Sequence, residues 1–254
     1  MVIPYEEFDP QMLLIQIIIQ LVSIIFMVVI SFMTWRKYIQ RKSIEIKLVA
    51  IFMTAFWIGL SVGTFPMILC LYAPNWAIIF GIPVGNNLYL WWTNFSYILL
   101  SLGTIAVFKF IQKIFKKPSN FDFWLFVVAT ILFNVWSIYH GIFVYTPGTA
   151  SLTLPMSGVY LLLNFWVWIM LFRYALYDSR RLDRSIFQNG LKIVAISGFF
   201  MILSYVAYIL NVFIKGIGII SWGFNIITMV LLYIGYLLPG WYRRFLIKRG
   251  YPDA

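Results

Sequence analysis

This chain has one cysteine and one histidine, so it offers few of the side chains that most often hold metals or carry out nucleophilic and acid–base chemistry. Cys70 lies inside an apolar run, which excludes a disulfide or a cysteine metal site within the chain. His140 has no second histidine for a metal triad and no carboxylate at the same expected depth for an acid–base pair. Acid is also scarce, with eight Asp and Glu against 19 Lys and Arg. None of these charges falls in the central part of any apolar run. Pumps and proton relays place such groups near the membrane midplane, where something must bind the ion or proton. The absence argues against a pump and weakens any proton-coupled transporter. No catalytic set and no cofactor motif is left, so the chain reads as a non-enzyme without a cofactor.

What is present is apolar. Hydrophobic residues make up 63% of the chain, charged ones 11%, and the mean hydropathy is +0.91. An ordinary soluble domain has about a quarter of its residues charged. Spanning the hydrocarbon core takes about 20 apolar residues, and seven runs qualify: 11–35, 48–72, 89–112, 122–144, 156–177, 192–214 and 217–241. The prediction is an all-α bundle of seven transmembrane helices, a single membrane domain over 1–254 with no soluble domain.

The basic residues orient that bundle. Arg36, Lys37, Arg41, Lys42 and Lys47 follow the first run, and Lys109, Lys113, Lys116 and Lys117 follow the third. Arg173, Arg180, Arg181, Arg184 and Lys192 follow the fifth, and Arg243, Arg244, Lys248 and Arg249 the seventh. Only Lys215 lies in another connection. Cytoplasmic loops collect Lys and Arg, which places the N-terminus outside, the C-terminus in the cytoplasm and the chain in the cell membrane. A net charge of +11 in a soluble chain would suggest nucleic acid. Here the charge sits at helix ends, and no nucleic-acid partner is expected. The acidic start (Glu6, Glu7, Asp9) and the length of the first run predict no cleavable signal peptide.

Two outer connections are long. Residues 73–88 hold a short apolar stretch, Trp76 to Phe80, between Pro and Gly, which suits an interfacial or re-entrant turn. Residues 145–155 read as a polar loop. The inner segment 178–190 carries both signs of charge and suits an extension of the fifth helix.

Neutral polar residues recur at helical spacing: Gln16, Gln20 and Ser23; Asn94, Tyr97, Ser101 and Thr104; Thr130, Asn134 and Ser137. Tyr160 and Asn164, then Ser204, Tyr208 and Asn211, then Ser221, Asn225 and Thr228 continue the pattern. Steps of three, four and seven put each set on one helix face. Lipid cannot satisfy these groups, so the faces turn into the bundle, mostly in its outer half. Two readings follow. The groups join helices by hydrogen bonds worth about 0.6–2 kcal/mol each, or they line an outer ligand cavity. Asn134, Asn164, Asn225, His140, Tyr160, Tyr208, Asn94 and Gln20 are the candidate ligand-binding residues on the second reading. Asn both donates and accepts, so several together can orient a neutral ligand.

Pro239 falls near the inner end of the last run and is expected to kink it. Beyond it, 240–250 alternate aromatic and basic side chains. Arg243, Arg244, Lys248 and Arg249 are the candidate membrane-surface residues, on a segment lying along the anionic inner leaflet or acting as a bare positive stop.

Among seven-helix families, a retinal pigment is excluded. Residues 216–242 have no lysine for a Schiff base, and the third helix has no carboxylate counter-ion. Phe108-Lys109-Phe110 and Leu238-Pro239-Gly240-Trp241 stand where the large animal receptor family has its signatures, and the usual cysteine pair is missing. Tyr236-Leu237-Leu238-Pro239-Gly240-Trp241-Tyr242-Arg243-Arg244 resembles the end of the seven-helix sensor regions that precede prokaryotic histidine kinases. The resemblance covers about a tenth of the chain, and the sequence stops some ten residues later without the output domain of that family. It implies a sensor that binds a small or lipidic ligand in its outer half and signals through the sixth and seventh helices to a cytoplasmic partner. A transporter of a neutral molecule and an accessory subunit of a larger membrane complex are the alternatives.

Overall fold

The computed structural model describes residues 10–72, 86–139, 150–210, 214 and 217–252. Among them there are eight α-helices and no strand. We number them α1 (Pro10–Arg41), α2 (Ile44–Tyr72), α3 (Asn86–Phe115), α4 (Asn120–Tyr139), α5 (Ala150–Arg181), α6 (Ile186–Leu210), α7 (Gly218–Leu237) and α8 (Gly240–Lys248). The first seven are long and apolar enough to cross a membrane, and the chain is a multi-pass membrane protein. The interfacial stretch expected at Trp76–Phe80 lies outside the described residues.

Most helices run past the boundaries set by hydropathy. α1 continues to Arg41 rather than stopping near 35, and α5 continues to Arg181 rather than 177. A helix satisfies its own backbone, so it need not end where the hydrocarbon does; Lys and Arg on the last turns reach water from helical backbone. α5 also begins at Ala150, so the second half of the expected 145–155 loop is helical.

The last span departs in the other direction. It ends at Leu237 instead of 241. Leu238 adopts the left-handed conformation (φ 43°), its N–H closes on Ile234 O, and Pro239 has no N–H with which to continue the ladder. Pro239 therefore ends one helix and starts another, where a kink was expected.

Consecutive spans are antiparallel, so all four basic clusters gather at one end of the bundle, called the basic end below. In order of contact, α1, α2, α3, α5, α6 and α7 form a closed ring, with α7 returning to α1. α4 stands outside the ring against α3 and α5. The ring's centre is filled by side chains from opposite walls: Met27 of α1, Phe52 of α2, Trp168 of α5, Met201 of α6 and Met229 of α7 are all fully buried. The Phe52 and Trp168 rings meet with centroids 5.4 Å apart.

Candidate functional site

α3 is the hub of the polar groups toward the end opposite the basic one. Thr104 Oγ1 donates to Asn164 Oδ1 of α5, and Asn164 Nδ2 donates to Tyr160 O at 2.7 Å. Ser101 Oγ stands 3.5 Å from Asn134 Oδ1 of α4. One turn further out, the Tyr97 ring stacks on Tyr160 with centroids 4.5 Å apart, and its hydroxyl lies 3.5 Å from that of Tyr208 on α6. The structure thus brings Asn134, Asn164, Tyr160 and Tyr208 around one stretch of α3. Two other candidates sit elsewhere. Asn225 accepts from Ser204 Oγ at 2.9 Å between α6 and α7, and Gln20 accepts from Thr64 Oγ1 at 2.8 Å between α1 and α2. His140 and the side chain of Asn94 lie outside the described residues.

Each of the three asparagines, then, takes a hydroxyl donor from a neighbouring helix. Asn164, Asn225 and Gln20 are buried, and Asn134 is half-buried. In an apolar surrounding these bonds hold helix pairs in register. The tyrosines differ, because Tyr97 and Tyr208 approach each other only at the edge of contact, and Tyr208 is exposed.

The α6–α7 pair shows a pattern that the polar spacing alone missed. Gly190, Ser197 and Ser204 repeat at intervals of seven on α6, as do Ser221, Thr228 and Gly235 on α7. Antiparallel pairing matches them one to one. Ser204 Oγ donates to Ser221 O at 3.0 Å, and Thr228 Oγ1 lies 3.3 Å from Ser197 O. At the basic end the two glycines put backbone against backbone: a Cβ built at Gly190 would come within 2.5 Å of Gly235 O, and one at Gly235 within 2.8 Å of Gly190 O. Small residues at this spacing let helices approach closely, which is how helices associate where no hydrophobic effect operates. Including the two glycines with the hydroxyl residues would have revealed the repeat.

α8 is docked at the basic end, and it is not a bare stop. Leu246 is 2% exposed. Past α8 the chain turns back, so that Ile186 N–H at the start of α6 donates to Pro252 O at 3.3 Å and the Arg184 guanidinium covers the Tyr251 ring at 4.7 Å. The other face of α8 is exposed. There Arg243, Arg244, Lys248 and Arg249 stand exposed beside exposed Trp241, Phe245 and Ile247, with Arg249 over the Phe245 ring at 4.5 Å. An amphipathic helix of this composition suits an anionic membrane surface.

Comparison with protein-family models, with curated proteins and with solved structures yields no match.

Proposed function

We propose that the chain is a non-enzymatic, receptor-like module of the cell membrane, with its N-terminus outside and its basic end in the cytoplasm. It takes up a small or lipidic ligand in its outer half and signals to a cytoplasmic partner, as the closing sequence Leu237-Leu238-Pro239-Gly240-Trp241 resembles in sensor regions. One observation carries the reading: the Tyr208 hydroxyl of α6 stands 3.5 Å from that of Tyr97, which stacks on Tyr160, while α6 packs closely on α7 along most of its length and meets α8 at its basic end. A change at the tyrosines therefore reaches the basic end as a displacement of one body, α6–α7–α8, against α2 and α3. A transporter is favoured less, because Phe52 and Trp168 fill the ring where a solute would cross. The accessory-subunit reading draws on a different observation, that Asn134, Asn164 and Asn225 are each engaged by another helix.

Pulsed spin-label distances test the lever. With Cys70→Ser as background, labels at Ile44→Cys on α2 and Phe187→Cys on α6 report the basic end of the protein in lipid nanodiscs. Tyr208→Phe is expected to shift or broaden the distance distribution, and Leu162→Ala on the lipid-facing side of α5 to leave it unchanged. An identical distribution in Tyr208→Phe overturns the lever and leaves the subunit reading in front. Orientation has its own test: cysteines at Ser43 and Ser119 should label only from the cytoplasmic side.

A further inference from the structure

The turn joining α3 to α4 borders an open cavity of about 480 Å³ at the basic end, lined by Lys109, Gln112, Lys113, Lys116, Ser119 and Asn120 together with Pro118. Lys109 and Lys113, four residues apart, share one face of the last turns of α3, and Lys116 follows just past its end with a left-handed backbone (φ 53°). Gln112 builds the floor. It accepts from Lys109 Nζ at 2.6 Å and donates to Asn120 Oδ1 at 2.7 Å, bracing the end of α3 against the start of α4. Lys109 is further fixed by the Phe123 ring, 4.4 Å below its ammonium.

No carboxylate lines the cavity. Asp122, the nearest acid on α4, is turned to Ser119, from which it accepts at N (2.9 Å) and at Oγ (2.7 Å) as part of the helix cap. Glu45 of α2 feels the charge of Lys113, but its carboxylate accepts from Ser43 Oγ. Three ammoniums thus share a pocket whose remaining lining is neutral amide, hydroxyl and proline. Like charges held together repel, and an anion placed among them removes that repulsion while taking several donors at once.

We propose that this cavity is a binding site for a phosphate-bearing headgroup. Lysines serve phosphate as point charges, and the Asn120 side-chain amide supplies a further donor. The volume exceeds what one inorganic phosphate needs and falls in the range of organic ligand sites, about 300–1,000 Å³. Next to the cavity, α4 presents Phe121, Trp124 and Leu125, which are 74%, 63% and 50% exposed. Acyl chains can follow that surface while the phosphate sits among the lysines, so an anionic phospholipid is the source this surface suits. Basic pockets between membrane helices hold such headgroups by the same physics. The site is independent of the outer half, and of whether the chain signals.

The test uses the full chain in mild detergent, with lipid occupancy read by native mass spectrometry against cardiolipin, phosphatidylglycerol and phosphatidylcholine. Wild-type protein is expected to retain the two anionic lipids in preference to phosphatidylcholine. The triple variant Lys109→Gln/Lys113→Gln/Lys116→Gln should weaken anionic-lipid binding by about a hundredfold, and the charge-matched Arg36→Gln/Lys37→Gln/Lys42→Gln by less than about threefold. Because the triple variant removes the Lys109 brace, the exposed single variant Lys116→Gln is measured beside it, with an expected loss of about fivefold. Equal losses in the α1–α2 and α3–α4 variants overturn the proposal, since they signify a diffuse positive field instead of a site. Unchanged binding in Lys116→Gln and the triple variant overturns it as well. Inorganic pyrophosphate is the second arm: full displacement of lipid by an equimolar amount assigns the phosphate site to a soluble compound, and retention of lipid assigns it to the membrane.

Discussion

α4 and the α6–α7 pair are both apolar enough to span a membrane, with mean span hydropathies of 1.8 for α4 and 2.2 for α6, yet they are held in opposite ways. α6 and α7 meet through glycines and hydroxyls, backbone close to backbone, along nearly their full length. α4 touches α3 and α5 with one stripe, Phe126, Thr130, Phe133 and Ser137, and turns the rest of its surface outward. Its contact is made by rings: Phe126 stacks on Phe108 at 4.9 Å, and Phe133 packs on Tyr160 at 5.8 Å. Hydropathy decides that a helix enters the membrane, and small residues decide how closely it then packs. The tight pair suits a rigid lever. The loosely attached helix forms one wall of the lysine cavity.

The sharpest way to break this comparison is to put a side chain into the tight pair. Gly190→Val is expected to lower stability by about 3 kcal/mol, because no side-chain rotation can relieve a contact with the Gly235 carbonyl. Gly223→Ala on α7, where an added Cβ meets nothing within 4 Å, should be neutral or slightly stabilising. Thermal unfolding in detergent measures both, and equal midpoints for the two variants would refute the tight-pair account.

Next in size is the dock of α8 on that pair. Leu246→Ala should cost about 2 kcal/mol locally and release the tail, so trypsin should cut after Arg243 and Arg244 sooner than in wild type while the spans remain intact. Cleavage at the wild-type rate would mean that Leu246 does not hold the tail.

Asn164→Leu removes the acceptor of Thr104 and should destabilise the α3–α5 contact by about 1 kcal/mol. A stabilised variant would show that burying the amide costs more than its bond returns. The smallest effect is expected at the loose helix. Thr130 Oγ1 is buried without a hydrogen-bond partner, so Thr130→Val should stay within about 0.5 kcal/mol of wild type or gain slightly. A loss above 1 kcal/mol there would mean that α4 is bound more specifically than its aromatic stripe indicates.

Much of this was readable from the chain. The seven spans announced themselves as runs of about 20 apolar residues, and the Lys and Arg clusters identified one common end before any helix was placed. The polar residues at steps of three, four and seven marked helix faces correctly as faces, since Ser101, Thr104, Asn164, Ser204, Asn225 and Thr228 all reach a neighbouring helix. What periodicity could not convey was the partner. Asn134 and Asn164 converge on α3, whereas Asn225 bonds across the α6–α7 pair, and spacing along one helix carries no information about which helix stands opposite. The tail was similarly half-legible. Its amphipathic alternation was visible in 240–250, but Leu246 looked like any other apolar residue until the chain turned back through Tyr251 and Pro252 onto the start of α6.

The sequence by itself determined that this is a helical membrane bundle with its positive charge at one end, because the cost of burying charge and of leaving backbone groups unsatisfied in lipid is paid residue by residue. It also marked Pro239 as a break near the end of the last span, though a kink was expected there and the span ends at Leu237. Only the tertiary structure decided that α4 lies outside the ring, that Gly190 faces Gly235, and that Lys109, Lys113 and Lys116 line one cavity with the start of α4. These are matters of which helices become neighbours, and in a bilayer that choice rests on the fit of surfaces from distant parts of the chain.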